Sequence, residues 1–130
     1  MTSYVDTSAF VKLFVAEPES KAMRTWWADN DGAWCSSDLL RTETLRTARR
    51  ISPAAVGAAR RFLDAIPLVR LDSDAYERAG ALEPATMRSI DAVHLAAALS
   101  LGDDLDGIVT YDERMTEAAS FHGLVVTAPV

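Results

Sequence analysis

Four acidic residues stand where carboxylates could do chemistry: Asp6 in "YVDTS", Glu43 in "RTETLRTARR", Asp91 in "SIDAVHLAAAL" and Asp112 in "VTYDERM". Carboxylates drawn to one point cannot all stay ionised without a cation, because like charges raise each other's pKa. A set of oxygen ligands alone suits Mg²⁺ or Mn²⁺ and not zinc. Each acid also has a local explanation. Asp6 and Asp112 could cap the helices that follow them. Glu43 could pair with Arg46 or Thr47 across one helical turn. Asp91 falls in the first turn of a helix capped by Ser89, where the dipole and free N–H groups favour an acid.

The elements that must position these residues decide between the readings. Strand and helix alternate along the chain. Ser3–Asp6 reads as a strand feeding a helix over residues 8–15, with Phe10, Val11 and Phe14 at helical spacing. Pro18 opens a second helix through Trp27, and Asn30, Asp31 and Gly32 turn the chain. "AWCSS" is a second strand, and Ser37 caps a third helix running through Glu43 to Arg50. Ser52 caps a fourth helix with Pro53 in its first turn. "PLVRL" is a third strand, and a helix from Ser73 ends before Pro84. The helix containing Asp91 is apolar nearly all round and stops at Gly102, so it is buried on most sides. "DGIVTYD" is a fourth strand, residues 113–121 a helix and "LVVTA" a fifth strand. Crossovers of this length permit parallel pairing. The expected fold is α/β, a three-layer α/β/α sandwich around a five-stranded parallel sheet, with residues 1–130 as a single domain.

In such folds the working site lies at the carboxyl ends of the strands. Asp6 ends the first strand and Asp112 the fourth, while Asp91 begins the buried helix leading into that fourth strand. Glu43, one turn after Leu39 and Leu40, sits at the margin of the inward stripe of its helix. Taken together, the four acids point to one edge of the sheet.

Composition bounds the reading. The chain of 130 residues is 49% hydrophobic and 25% charged, the composition of a globular domain with one sizeable core. Thirteen basic residues against nineteen acidic give a net charge of −6, which argues against holding nucleic acid by charge alone. It leaves open a protein that holds nucleic acid through metal ions. The single cysteine, Cys35, permits no intrachain disulfide and fits a reducing cytoplasm. No apolar stretch suits a secretion signal or a membrane span.

The blocks "YVDTSAFVKLF", "RTETLRTARR", "SIDAVHLAAAL" and "VTYDERM" together resemble the PIN-domain nucleases, most closely the VapC toxins of bacterial type II toxin–antitoxin pairs. The resemblance spans the chain, with all four blocks in order. It implies a five-stranded parallel sheet and an acidic quartet of Asp6, Glu43, Asp91 and Asp112. It adds supporting hydroxyls from Ser8 and Thr110. It further implies Mg²⁺- or Mn²⁺-dependent endonucleolytic hydrolysis of RNA, tRNA or rRNA among the candidate substrates, with Asp6, Asp91 and Asp112 as the main metal ligands. Glu43 would bind metal through water or orient the nucleophile. A VapB-type antitoxin and homodimerisation are expected on the same basis. The preference for RNA rests on the resemblance, since the chemistry does not need the 2′-hydroxyl.

Rival readings fit less well. A metal-free ribonuclease wants an acid–base pair, typically two histidines. His122 follows the helix after His94, and His94 reads as a satisfied helix residue. An aspartyl-nucleophile phosphatase wants an acid two residues after the first, where this chain has Ser8. A phosphoacceptor receiver domain wants a late lysine, and the only lysines are Lys12 and Lys21. There is no glycine-rich phosphate loop, and Cys35 has no basic neighbour in sequence. A catalytically silent binding module would be favoured by the loss of one acid, and a PIN nuclease outside any toxin pair would keep all four. Arg41, Arg46, Arg49 and Arg50 could guide an RNA backbone or simply form a solvated face. Trp26 and Trp27 are adjacent in one helix, so both cannot be fully core and one is expected to face a partner.

Overall fold

The computed structural model describes residues 1–130. Five strands, β1 (Thr2–Val5), β2 (Trp34–Ser37), β3 (Leu68–Val69), β4 (Leu105–Val109) and β5 (Val126–Thr127), form one sheet in the order β3-β2-β1-β4-β5. Every neighbouring pair is parallel. The helices are α1 (Thr7–Phe10), α2 (Ser20–Asp29), α3 (Leu39–Arg49), α4 (Pro53–Ala65), α5 (Ser73–Gly80), α6 (Ser89–Leu99) and α7 (Glu113–Phe121).

The sheet separates two cores because successive strand residues face opposite sides. On one side Val5, Trp34 and Val109 pack with Phe10, Met23, Leu40 and Leu63 from the first four helices. On the other, Tyr4, Cys35 and Ile108 pack with Leu95, Ala98, Met115 and Ala119 from α6 and α7. The three layers and parallel sheet match the expectation. The chain begins at the centre, winds outward through β2 and β3, then crosses to β4 and β5 on the other side of β1. The strand order therefore reverses beside β1, the place where open α/β sheets form a crevice beyond their carboxyl ends.

Several boundaries differ from the sequence reading. The helix expected over residues 8–15 is one α turn followed by a 3₁₀ turn, Val11–Leu13. Such a short piece satisfies few i→i−4 bonds and relies on its cap and its packing. Helix α2 opens at Ser20, leaving Pro18 in the preceding turn. Ser37 does not cap α3, because it is the last residue of β2 and its hydroxyl accepts a hydrogen bond from Tyr4; Asp38 stands at the cap position. Ser89 is the first residue of α6 and not its cap, a position taken by Arg88 with no side-chain cap bond. Helix α6 stops at Leu99, and Gly102, with φ of +57°, starts the 3₁₀ turn Gly102–Asp104. Strand β4 ends at Val109, so Asp112 lies three residues past it. Strand β2 carries Ser36 and Ser37, both fully buried.

Candidate active site

Asp6 follows β1 directly and is 4% exposed. Its Oδ1 accepts from the Ala9 backbone N–H at 3.1 Å, which caps α1, and from the Ser8 hydroxyl at 2.7 Å. Its Oδ2 accepts from the Thr110 hydroxyl at 2.5 Å. Thr110 Oγ1 in turn accepts from the Asp112 N–H at 3.0 Å, and Ser8 Oγ from the Tyr111 N–H at 3.0 Å. Two hydroxyls thus tie the first acid to the backbone leading to the last. Burial raises the Asp6 carboxyl above the ordinary aspartate range, and the hydrogen bonds from Thr110 and Ser8 offset only part of that.

Asp112 caps α7, its Oδ1 accepting from the Arg114 N–H at 3.0 Å. The local explanations of Asp6 and Asp112 as caps are therefore correct, and both acids still face the cavity described below. Asp91, also 4% exposed, accepts no backbone N–H. Its oxygens accept from Arg88, Nε at 2.9 Å on Oδ2 and Nη2 at 3.4 Å on Oδ1. Asp91 does lie in the first turn of α6, as the helix-start explanation requires, but its carboxylate caps no helix N–H and shares Arg88 with Asp112. Arg88 Nη2 lies 3.2 Å from Asp112 Oδ2.

Glu43 pairs with neither Arg46 nor Thr47. Its Oε1 accepts from the Thr7 hydroxyl at 2.6 Å and from His94 Nε2 at 2.6 Å. Burial acts to raise the Glu43 carboxyl, but the hydrogen bonds from His94 and Thr7, with the fields of His94 and Arg88, hold it below its ordinary value. His94 is 3% exposed and lies one turn after Asp91 on α6. Its Nδ1 meets the Tyr4 hydroxyl at 2.7 Å, and Tyr4 donates to Ser37 Oγ at 2.8 Å. A buried chain of polar groups therefore crosses from β2 through β1 and α6 to α3. His94 is thus part of the site's wall and not merely a satisfied helix residue.

Asp6, Glu43, Asp91 and Asp112 line one open cavity of about 430 Å³ with Thr7, Ser8, Arg88 and His94. Thr110 is fully buried behind it. All four acids expected from the sequence are brought together, and so are both supporting hydroxyls. No three carboxylates close into a coordinating cage. The donor set is nonetheless all carboxylate and hydroxyl oxygen, which suits an ion that keeps several of its own waters, as Mg²⁺ does. Three contributors were missed: Thr7, His94 and Arg88. Arg88 precedes Asp91 by three positions, a helical pairing distance legible in "RSID", but only the fold shows that it also reaches Asp112.

The PIN domain profile matches residues 3–120. The chain is 43% identical over 126 residues to Ribonuclease VapC46 of Mycobacterium tuberculosis, covering 97% of this chain and 96% of that one. The chain belongs to the PIN-domain family. Within the family it groups with VapC ribonucleases: Ribonuclease VapC47 of the same species is 37% identical over 130 residues, again covering 97% and 96%. Two solved structures share the fold at low identity. The crystal structure of M. tuberculosis VapC20, described as a sarcin–ricin loop cleaving toxin, superposes with a TM-score of 0.78 at 20% identity, covering 98% of this chain and all of that one. A toxin–antitoxin complex from Klebsiella pneumoniae superposes with a TM-score of 0.74 at 22% identity, covering 99% and 98%. The PIN fold here thus carries its acids on the crevice between β1 and β4. No helix is long and apolar enough to cross a membrane.

Proposed function

We propose that this PIN domain is an endoribonuclease toxin that cleaves RNA phosphodiester bonds with Mg²⁺ or Mn²⁺ and is silenced by a cognate VapB-type antitoxin. The observation that carries the reading is the convergence of Asp6, Glu43, Asp91 and Asp112 on one cavity in a chain 43% identical to a VapC ribonuclease. Asp6, Asp91 and Asp112 would hold the cation. When bound, it supplies Lewis-acid activation of water and offsets charge on the scissile phosphate. The chain's own residues prepare that chemistry. Ser8 and Thr110 fix both oxygens of Asp6 by donating to them, and Oδ2, with a single donor, keeps a lone pair for the cation. Thr7 and His94 keep Glu43 ionised and hold its Oε1, so its second oxygen is the one available to position a water or accept its proton. Trp26 and Trp27 are both partly buried against the first core, and Trp26, which makes no aromatic stack, is the one we assign to an antitoxin. Trp27 stacks on Trp34 with ring centroids 3.7 Å apart and touches Phe10 and Phe62.

Homodimerisation and a single-domain organisation over residues 1–130 belong to the same reading. The test is cleavage of total RNA by the purified chain, with ends mapped, in Mg²⁺, Mn²⁺ or EDTA. Discrete cuts that vanish in EDTA and on adding the cognate antitoxin are expected. Full cleavage in EDTA would contradict the metal assignment, and cleavage indifferent to any antitoxin would indicate a PIN nuclease outside a toxin pair.

A further inference from the structure

The Arg88 guanidinium bridges two carboxylates from different elements, Asp91 on α6 and Asp112 at the start of α7. Its side chain is 51% exposed while that of Asp91 is 6% exposed, so a half-exposed cation caps a buried anion at the mouth of the cavity. Its hydrogen bond and charge contact with Asp91, with Asp112 adding, raise the Arg88 pKa further. Arg88 also lines the adjoining cavity of about 490 Å³, whose wall includes Arg114 and Phe121. Arg88 therefore stands between the acids and the adjoining surface.

The oxygens that Arg88 occupies are those a divalent ion would need. Two cations cannot share them at contact distance without strong repulsion. We infer that Arg88 is a resident counter-ion that metal displaces from Asp91 and Asp112, and that the displaced guanidinium then pairs with an RNA backbone phosphate beside the acids. The inference rests on the metal-dependent reading above. Three features support it. In the absence of metal, one guanidinium bridges two of the four crowded carboxylates and offsets one of their charges. The half-exposed side chain can swing away while its backbone stays at the start of α6. The planar donor fork that fits a carboxylate fits a phosphate equally well, and a chain with a net charge of −6 needs a cation where the RNA backbone meets its acids.

The test compares wild type, Arg88→Met and Arg88→Lys in the full chain. Mn²⁺ binding is measured by calorimetry, and KM for a short RNA is measured at saturating Mn²⁺ over a range of salt. Arg88→Met should bind Mn²⁺ about fivefold tighter, the scale of losing a competing, partly exposed ion pair. The same variant should show a higher KM and a salt slope reduced by about one, the signature of one lost phosphate contact. Arg88→Lys keeps the charge but cannot span both carboxylates. It should bind Mn²⁺ more tightly than wild type yet recover most of the RNA capture, and it guards against a folding defect in the methionine variant. Both shifts are required. Unchanged or weaker Mn²⁺ binding by Arg88→Met overturns the inference, as does an unchanged KM. If wild type and variants alike bind no Mn²⁺, the metal-dependent reading fails and the inference fails with it, an outcome distinct from the first two.

Discussion

Removing one oxygen, in Tyr4→Phe, probes the buried chain that holds Glu43. Tyr4 is fully buried, and its hydroxyl contacts Ser37 Oγ at 2.8 Å and His94 Nδ1 at 2.7 Å. Burial raises its pKa, so the group acts as a neutral hydroxyl. Phenylalanine keeps the ring and its packing but strands both partners, and neither Ser37 nor His94 can reach solvent. A buried polar group left without a partner costs roughly 1–3 kcal/mol, so two give a loss of about 3 kcal/mol. Unfolding entropy near 2.1 cal/mol/K per residue implies about 4 °C per kcal/mol for a chain of 130 residues, and hence a fall of about 11 °C in Tm. Chemical denaturation and thermal melting in EDTA would measure both. Adding Ser37→Ala removes one stranded hydroxyl and should recover about 1 kcal/mol, making the pair non-additive. A Tyr4→Phe variant within about 0.5 kcal/mol of wild type would refute the reasoning, because it would mean that the hydroxyl completes no network.

Asp6→Asn should stabilise the metal-free protein by about 1 kcal/mol at neutral pH, since burial disfavours the ionised carboxylate. The folded state holds the Asp6 proton more tightly than the unfolded chain does, so this penalty is fully present above the raised native pKa and fades as pH falls toward the unfolded value of about 3.9; denaturation at several pH values should show the gap between variant and wild type closing on acidification. Gly107→Ala should destabilise by about 2 kcal/mol or more, because a Cβ there would lie 2.4 Å from the Val125 carbonyl oxygen, a backbone atom of the chain entering β5. Trp27→Ala should lower Tm strongly, by about 3 kcal/mol in equivalent stability. Trp26→Ala should spare the fold and RNA cleavage but weaken antitoxin binding, read by calorimetry against the purified antitoxin.

The sequence made the sheet legible because its strands are separated by helices of crossover length, and it made the acids legible because three of them fall at element boundaries. Asp6 and Asp112 show the limit of local reasoning: each is a genuine helix cap and each lines the cavity, so the cap explanation could neither exclude nor reveal a site. Asp91 shows it too: it lies in the first turn of α6, where an acid is favoured, yet its carboxylate binds Arg88 and no helix N–H. The helix start at Ser89 misled because a serine at a boundary is so often a cap, whereas here Arg88 holds that position and uses its side chain on carboxylates. The Glu43–His94 contact lies outside any local pattern, the partners being 51 positions apart. They meet only because α3 and α6, on opposite faces of the sheet, both reach past the carboxyl end of β1. The buried Ser37 of β2 has the same origin, since it serves Tyr4 across the sheet.

The central claim is that the carboxylate of Asp91 works with Asp6 and Asp112 on a cation that cleaves RNA. The most direct test is the single-turnover rate of RNA cleavage by Asp91→Asn at saturating Mn²⁺, taken beside its melting temperature. A fall of about 10²–10³-fold or more, with the fold intact, is the predicted result for removing a group that stabilises developing charge at the reacting centre. Cleavage by Asp91→Asn at the wild-type rate would contradict the account, leaving Asp91 as no more than an anchor for Arg88.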